Sequence, residues 1–199
     1  MGTSLTALRA EAGDCTSCGL YEHATQTVFG EGDPAARLVL IGEQPGDRED
    51  LEGRPFVGPA GGVLDRALEA AGIERRQVYL TNAVKHFKWK RRGKVRLHQK
   101  PNAEEVRACA AWWRGELEAI HPDVVVLLGA TAAQAAIGPT VRVTRDRGVL
   151  IPAGDRLAYD ALVTMHPSAV LRMRDPEREA AFAELVRDLE TAARHVGTG

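Results

Sequence analysis

The chain is poor in cysteine, poor in aromatic residues and has no long apolar run. Its 199 residues include three cysteines, 5% aromatics and a net charge of −1. Three thiols cannot all pair, so a disulfide framework is not expected, and the cysteines read as metal ligands or buried thiols of a reducing compartment. The densest apolar stretch, Val124–Leu128, is too short to cross a bilayer and reads as a buried strand. The first residues lack the apolar core of a secretory signal, so the cytoplasm is the expected compartment and no membrane is expected as a partner. A charge balance near zero says nothing, by itself, about an acidic partner. With 44% hydrophobic residues the length suits one core, and a single domain over residues 1–199, monomeric, is the expectation.

What is present is an alternation of strands and helices. Apolar runs at 37–41, 78–80, 123–128 and 161–165 predict four strands. Helical spacing follows at 62–71, and again after Asn102, where Glu105 three residues on makes a capping box. A short Ala-rich helix after the third strand and a C-terminal helix carrying Phe182, Leu185, Val186, Leu189 and Ala193 complete the pattern. Near-continuous apolar strands alternating with helices predict a single-domain three-layer α/β/α sandwich around a mainly parallel four-stranded sheet. Ligands of such sheets sit beyond the carboxyl ends of the strands. Three of those ends carry polar groups: Glu43-Gln44-Pro45-Gly46, Asn82 and His166-Pro167-Ser168.

Charge, balanced overall, is not balanced locally. Residues 85–100 hold eight Lys or Arg and no acid, while the other 183 residues hold 18 basic against 27 acidic groups. A localised cationic patch attracts phosphates that the remaining surface repels. Phe87, Trp89, His86 and His98 lie among these cations, a mixture suited to nucleotide contacts. A basic loop inserted at 85–100 and a nucleic-acid partner are therefore expected.

Cys15 and Cys18 have the two-residue gap that lets two thiolates reach one metal centre. Cys109 is the third cysteine, and any fourth ligand must be another residue type. On spacing and composition, zinc and iron–sulfur both stay open.

Taken in order, CTSC (15–18), GEQPGD (42–47), GRPFVGPAG (53–61), TNAVKH (81–86), LLGATA (127–132) and MHPSAVLR (165–172) resemble the uracil-DNA glycosylase superfamily. The resemblance is closest to its iron–sulfur branch, the family 4 enzymes and the related UdgX proteins. Family 4 enzymes bind a [4Fe–4S] cluster through four cysteines, the third directly after the lysine of the TN-x-x-K stretch. This chain has His86 there, as UdgX proteins have a histidine. The resemblance thus implies Cys15, Cys18, His86 and Cys109 as ligands of a [4Fe–4S] cluster. UdgX proteins also carry a basic loop, typically KRRIH, whose last residue becomes covalently attached to deoxyribose. Here the stretch is Lys94-Val95-Arg96-Leu97-His98, with Val95 in place of the first arginine.

The implied partner is uracil-containing DNA, single-stranded or with the base flipped out of the duplex. Phe56 is expected to stack on the uracil ring. The Asn82 amide is expected to pair with O4 and N3–H, a pattern that cytosine reverses. Gln44 and Asp47 are expected around the pocket floor. His166 would stabilise the departing uracil anion, and Glu43 would polarise the nucleophile and steady the oxocarbenium-like sugar. His98 is the expected nucleophile that captures C1′, giving a single-turnover crosslinking glycosylase. Lys94, Arg96, Ser168 and Arg172 are expected on the DNA. A hydrolytic glycosylase with turnover and a non-catalytic Fe–S nucleic-acid-binding protein are the alternatives.

Overall fold

The structure, a computed structural model, describes residues 4–154 and 157–197. Its strands are β1 (Glu31–Gly32), β2 (Leu38–Gly42), β3 (Val78–Asn82), β4 (Trp89–Arg92), β5 (Val95–His98), β6 (Val124–Leu128), β7 (Leu150–Ile151) and β8 (Asp160–Thr164). The helices are α1 (Leu5–Gly13), α2 (Asp47–Glu52), α3 (Pro59–Ala70), α4 (Ala103–Ile120), α5 (Gly129–Ala136), α6 (Val143–Asp146), α7 (Pro167–Arg172) and α8 (Glu177–Val196).

Every residue of β2, β3 and β6 is buried, because these strands are covered on both faces. Leu38 and Leu40 pack with Leu64 and Leu68 of α3 and with Leu185 and Leu189 of α8. Val39 and Ile41, pointing the other way, pack with Trp113 and Leu117 of α4 and Ala132 of α5. Two-residue alternation along one strand thus feeds two separate cores, and a three-layer sandwich results.

The sheet order is β1-β3-β2-β6-β8-β7. The four expected strands β3, β2, β6 and β8 run parallel at its centre, but the sheet has six strands rather than four. The additions, β1 and β7, are two residues each and antiparallel, one on each edge. They occupy edge hydrogen-bonding groups of β3 and β8 that would otherwise stand open.

Two further differences have local causes. Helix α3 begins at Pro59, earlier than the periodicity predicts, because a proline at the first turn needs no amide partner. The amide of Gly58 before it donates to Glu49 Oε1 at 2.7 Å. The expected basic loop is largely a hairpin: β4 and β5 pair antiparallel with Trp89 opposite His98, closed by Gly93 at φ +60° and Lys94. The capping box of α4 forms, Asn102 Oδ1 accepting from the Glu105 amide at 2.9 Å and Glu105 Oε2 from the Asn102 amide at 2.7 Å.

One charged pair lies wholly inside. Lys85 Nζ and Glu116 Oε2 meet at 2.6 Å with no exposed side-chain surface on either residue. Glu116 also accepts from the Gly30 amide, the Tyr79 phenol and the Thr81 hydroxyl. Burial beside this carboxylate drives the Tyr79 phenol upward in pKa. The network ties the end of β3 to α4. Among the described residues no helix is long and apolar enough to cross a membrane.

Candidate active site

β2 is flanked by β3 on one side and β6 on the other, so the chain's direction of travel across the sheet reverses there. Such a reversal opens a crevice at the carboxyl ends of the strands. A cavity of about 910 Å³ occupies it, lined among others by Glu43, Phe56, Asn82, His98, His166 and Arg172. Gln44, Asp47 and Ser168 also border it. Glu43 follows β2, Asn82 ends β3, Gly129 follows β6 and His166 follows β8. A smaller cavity of about 380 Å³ lies at the opposite end of the sheet, where Arg37 pairs with Asp123 and His195 with Asp160.

Asn82 is 3% exposed, and its amide makes no side-chain hydrogen bond among the described residues. It owes its place to Gly42, where a Cβ would stand 2.4 Å from Asn82 Oδ1 and 2.7 Å from Phe56 Cζ. Phe56 itself holds φ +55°, a backbone conformation unfavourable for a bulky side chain. Its ring lies 6.2 Å from that of His166, inclined by 28°.

His166 is the N-cap of α7, and its Nδ1 accepts from the Ser168 amide at 3.1 Å. An accepting Nδ1 bears no proton in the neutral ring, so Nε2 carries the hydrogen as a donor. Burial, followed by the charges of Arg172 and His98, pushes the His166 pKa down to about 4. The ring is therefore neutral at pH 7. Lining the same cavity, His98 Nε2 stands 3.4 Å from Glu43 Oε1. Burial lowers the His98 pKa too, opposed by Glu43 and assisted by Arg172. Glu43 Oε2 accepts from the Thr131 hydroxyl at 2.5 Å.

The hairpin that carries His98 is held at two points. Gln44 Oε1 accepts from the Lys88 amide, and its Nε2 donates to the carbonyls of Lys88 and Gln99. Both amide hydrogens of Gln44 are thus used on the base of the hairpin and not on a ligand. Arg96, expected on phosphate, is turned inward instead. It donates to Asp47 Oδ1 at 2.5 Å and Asp50 Oδ2 at 2.6 Å, with its guanidinium over Phe87 and Trp89. Two carboxylates within reach outcompete solvent for that cation. The cations left outward are Lys90, Arg91, Arg92 and Lys94, all exposed at the hairpin tip.

The sulfur residues gather beside α4. Cys15 Sγ accepts from Trp112 Nε1 at 3.2 Å, and Cys109 Sγ from the Lys85 amide at 3.5 Å. Cys18 and Cys109 are hydrogen-bonded, which lowers the Cys18 thiol to about 6 and, with burial, raises that of Cys109. His86 is buried, its Nε2 2.9 Å from the Thr27 hydroxyl and its Nδ1 without a hydrogen-bond partner among the described residues. Burial lowers its pKa and keeps it a neutral, ligand-competent imidazole. Buried thiols and a partnerless buried nitrogen suit a soft metal centre. Among the described residues, however, no three His, Cys, Asp or Glu side chains are arranged to hold a single metal ion.

Glu49 was not singled out in the sequence. Its carboxylate accepts from the Gly46 and Gly58 amides at 3.0 and 2.7 Å, joining the two loops that border the cavity. A glutamate between two glycine-rich motifs was the available signal.

A profile of the family described as Uracil DNA glycosylase superfamily matches residues 29–190. A type-4 uracil-DNA glycosylase of Thermotoga maritima is 40% identical over 180 residues, covering 89% of this chain and 87% of the relative. One of Pyrobaculum aerophilum is 34% identical over 181 residues, covering 88% and 86%. One of Archaeoglobus fulgidus is 40% identical over 131 residues, covering 66% and 62%.

Proposed function

Because this chain belongs to the uracil-DNA glycosylase superfamily, we propose that its cavity receives a uracil nucleotide from DNA and breaks the bond between base and sugar. We further propose that His98 captures the sugar, as in UdgX proteins. One observation carries this reading: a neutral His166 donor and the Glu43–His98 pair line the same cavity. Base cleavage puts negative charge on uracil O2 and positive charge on the sugar. A donor for the one and a carboxylate for the other meet both.

In this reading the Asn82 amide pairs with uracil O4 and N3–H, and Phe56 stacks on the ring. His98, as its Nδ1–H tautomer, presents the Nε2 lone pair to C1′. The C1′–Nε2 bond forms as the C1′–N1 bond breaks, and the electron pair leaves with uracil. The resulting imidazolium loses its Nδ1 proton to solvent, and the uracil anion takes one up. Arg172 and the hairpin-tip cations, Lys94 among them, meet phosphates. Ser168 holds His166, Gln44 and Arg96 hold the hairpin, and Asp47 anchors Arg96. The likeness to type-4 enzymes equally favours a hydrolytic reading, in which water reaches C1′ and His98 only helps bind DNA.

Incubation with uracil-containing single-stranded DNA, followed by a denaturing gel, separates these readings. Capture gives a shifted band that survives heat and SDS. His98→Gly should abolish it and release free uracil with turnover, since the cation reacts with whichever nucleophile is nearest. Base-labile cleavage without a shift in the parent would establish hydrolysis. The absence of both would leave a binding protein.

Cys15, Cys18, His86 and Cys109 are the residues that would hold a [4Fe–4S] cluster. Bound there, it would tie the segment after α1 to the end of β3 and to α4. The protein should then purify brown with iron and sulfide, and Cys109→Ala should lose both colour and iron. A colourless protein with stoichiometric zinc would reject the cluster.

A further inference from the structure

The LLGATA stretch forms the turn from β6 into α5 and borders the cavity at Leu128, Gly129 and Ala130, yet none of its residues has a role in the reading above. Two of its residues meet His166 and Glu43. Gly129 holds φ +87°, and a Cβ there would stand 3.0 Å from His166 Cβ, so the turn backs directly on the leaving-group histidine. Thr131, two residues on, is 6% exposed and donates its hydroxyl to Glu43 Oε2 at 2.5 Å.

Glu43 lies just past the end of β2, where no strand ladder fixes its side chain. Among the described residues, its carboxylate contacts are two: Thr131 on Oε2 and His98 Nε2 opposite Oε1 at 3.4 Å. One oxygen is committed to a buried hydroxyl, and the other is left facing the imidazole and the cavity. A side chain with three rotatable bonds loses that placement once the hydroxyl is gone, because the facing imidazole is then the one remaining contact of the carboxylate among the described residues.

We propose that Thr131 is a positioning residue for the reaction, its hydroxyl setting the Glu43 carboxylate so that Oε1 faces His98 and the sugar carbon. The inference rests on the roles given above to Glu43 and His98. Thr131 itself touches neither base nor sugar. It acts from the first turn of α5, the helix that follows β6, on a residue that follows the neighbouring strand β2.

The test uses Thr131→Val, which keeps the branched shape and loses the hydroxyl, with Thr131→Ser, which keeps the hydroxyl, and Thr131→Ala as a second removal. Each is made in the parent and in Glu43→Gln. The readouts are the first-order rate of adduct formation or uracil release at saturating uracil-containing single-stranded DNA, the Kd for uracil-free DNA, and Tm. Thr131→Val and Thr131→Ala should slow the first-order rate about tenfold or more, the usual effect of losing a hydrogen bond to a charged group. DNA affinity and Tm should stay close to those of the parent, and Thr131→Ser should recover most of the rate. In Glu43→Gln, the further loss from Thr131→Val should shrink to less than about threefold, as two groups acting as one unit are non-additive. Full additivity, failure of serine to rescue, or a rate loss that follows a fall in Tm would each overturn the inference. A parent that neither releases uracil nor forms the adduct would overturn the functional reading and this inference with it.

Discussion

Lys85 and Glu116 meet at 2.6 Å with no exposed surface, whereas His98 and Glu43 meet at 3.4 Å with half of the imidazole open to the cavity. Both are a base set against a carboxylate, and the difference lies in what surrounds them. Glu116 accepts from the Gly30 amide, Tyr79, Thr81 and Lys85, so its buried charge is fully partnered. Such a pair holds its elements together and has nothing left to offer a ligand. The Glu43 carboxylate is fixed on one oxygen, and its partner imidazole keeps open surface and a lowered pKa. In this molecule a saturated pair builds, and an unsaturated pair is available for chemistry.

The comparison breaks most clearly at Glu116. Glu116→Gln leaves Lys85 as an uncompensated buried charge and should cost roughly 3–5 kcal/mol of folding stability. His98→Gly removes only a half-exposed contact and should cost at most about 1 kcal/mol. Denaturant unfolding of both variants checks the contrast, and equal losses would erase it.

A second, smaller effect is set by pH. His98 must be neutral to offer a lone pair, and burial lowers its pKa from 6.5. Adduct formation should therefore persist through neutral pH and fall about tenfold per pH unit on the acid side. His166, down at about 4, stays neutral across most of that range, so the limb reports His98. An acid limb centred above pH 6.5 would mean that the Glu43 charge outweighs burial.

The smallest effect expected is at the hairpin tip. Lys94→Ala removes one exposed cation, and the slope of log binding constant against log salt for uracil-free DNA should fall by about one unit or less. Arg96→Ala should leave that slope nearly unchanged, because its charge is already spent on Asp47 and Asp50. Binding titrations at several salt concentrations distinguish the outward lysine from the inward arginine.

The four parallel strands were legible because double-sided burial writes them as apolar runs, and the α4 capping box because its two residues are three apart. The edge strands β1 and β7 were not, since two residues carry no period. The hairpin was hidden by its charge, although Gly93 before Lys94 in a tight turn was a trace of it. Glu43, Asn82, His98 and His166 could be gathered from separate motifs because each stands in the same kind of place, the carboxyl edge of the main sheet or the arm over it. The inward turn of Arg96 could not be read, as its acids lie 46 and 49 residues away. For the same reason the Thr131–Glu43 contact, 88 residues apart, left no mark in either motif.

The register of the hairpin makes the reach of His98 a matter of parity. Arg96 and His98 are two residues apart on β5, so both turn toward the protein, one to Asp47 and Asp50 and the other to Glu43. Gln44 grips the chain at Lys88 and Gln99, fixing how many residues stand between the two anchors. One residue added or removed in β5 before His98 would exchange odd for even, sending the imidazole to the outer face while leaving the composition of the arm almost unaltered. Homologous arms of any length should therefore tolerate changes at the tip in twos more readily than in ones.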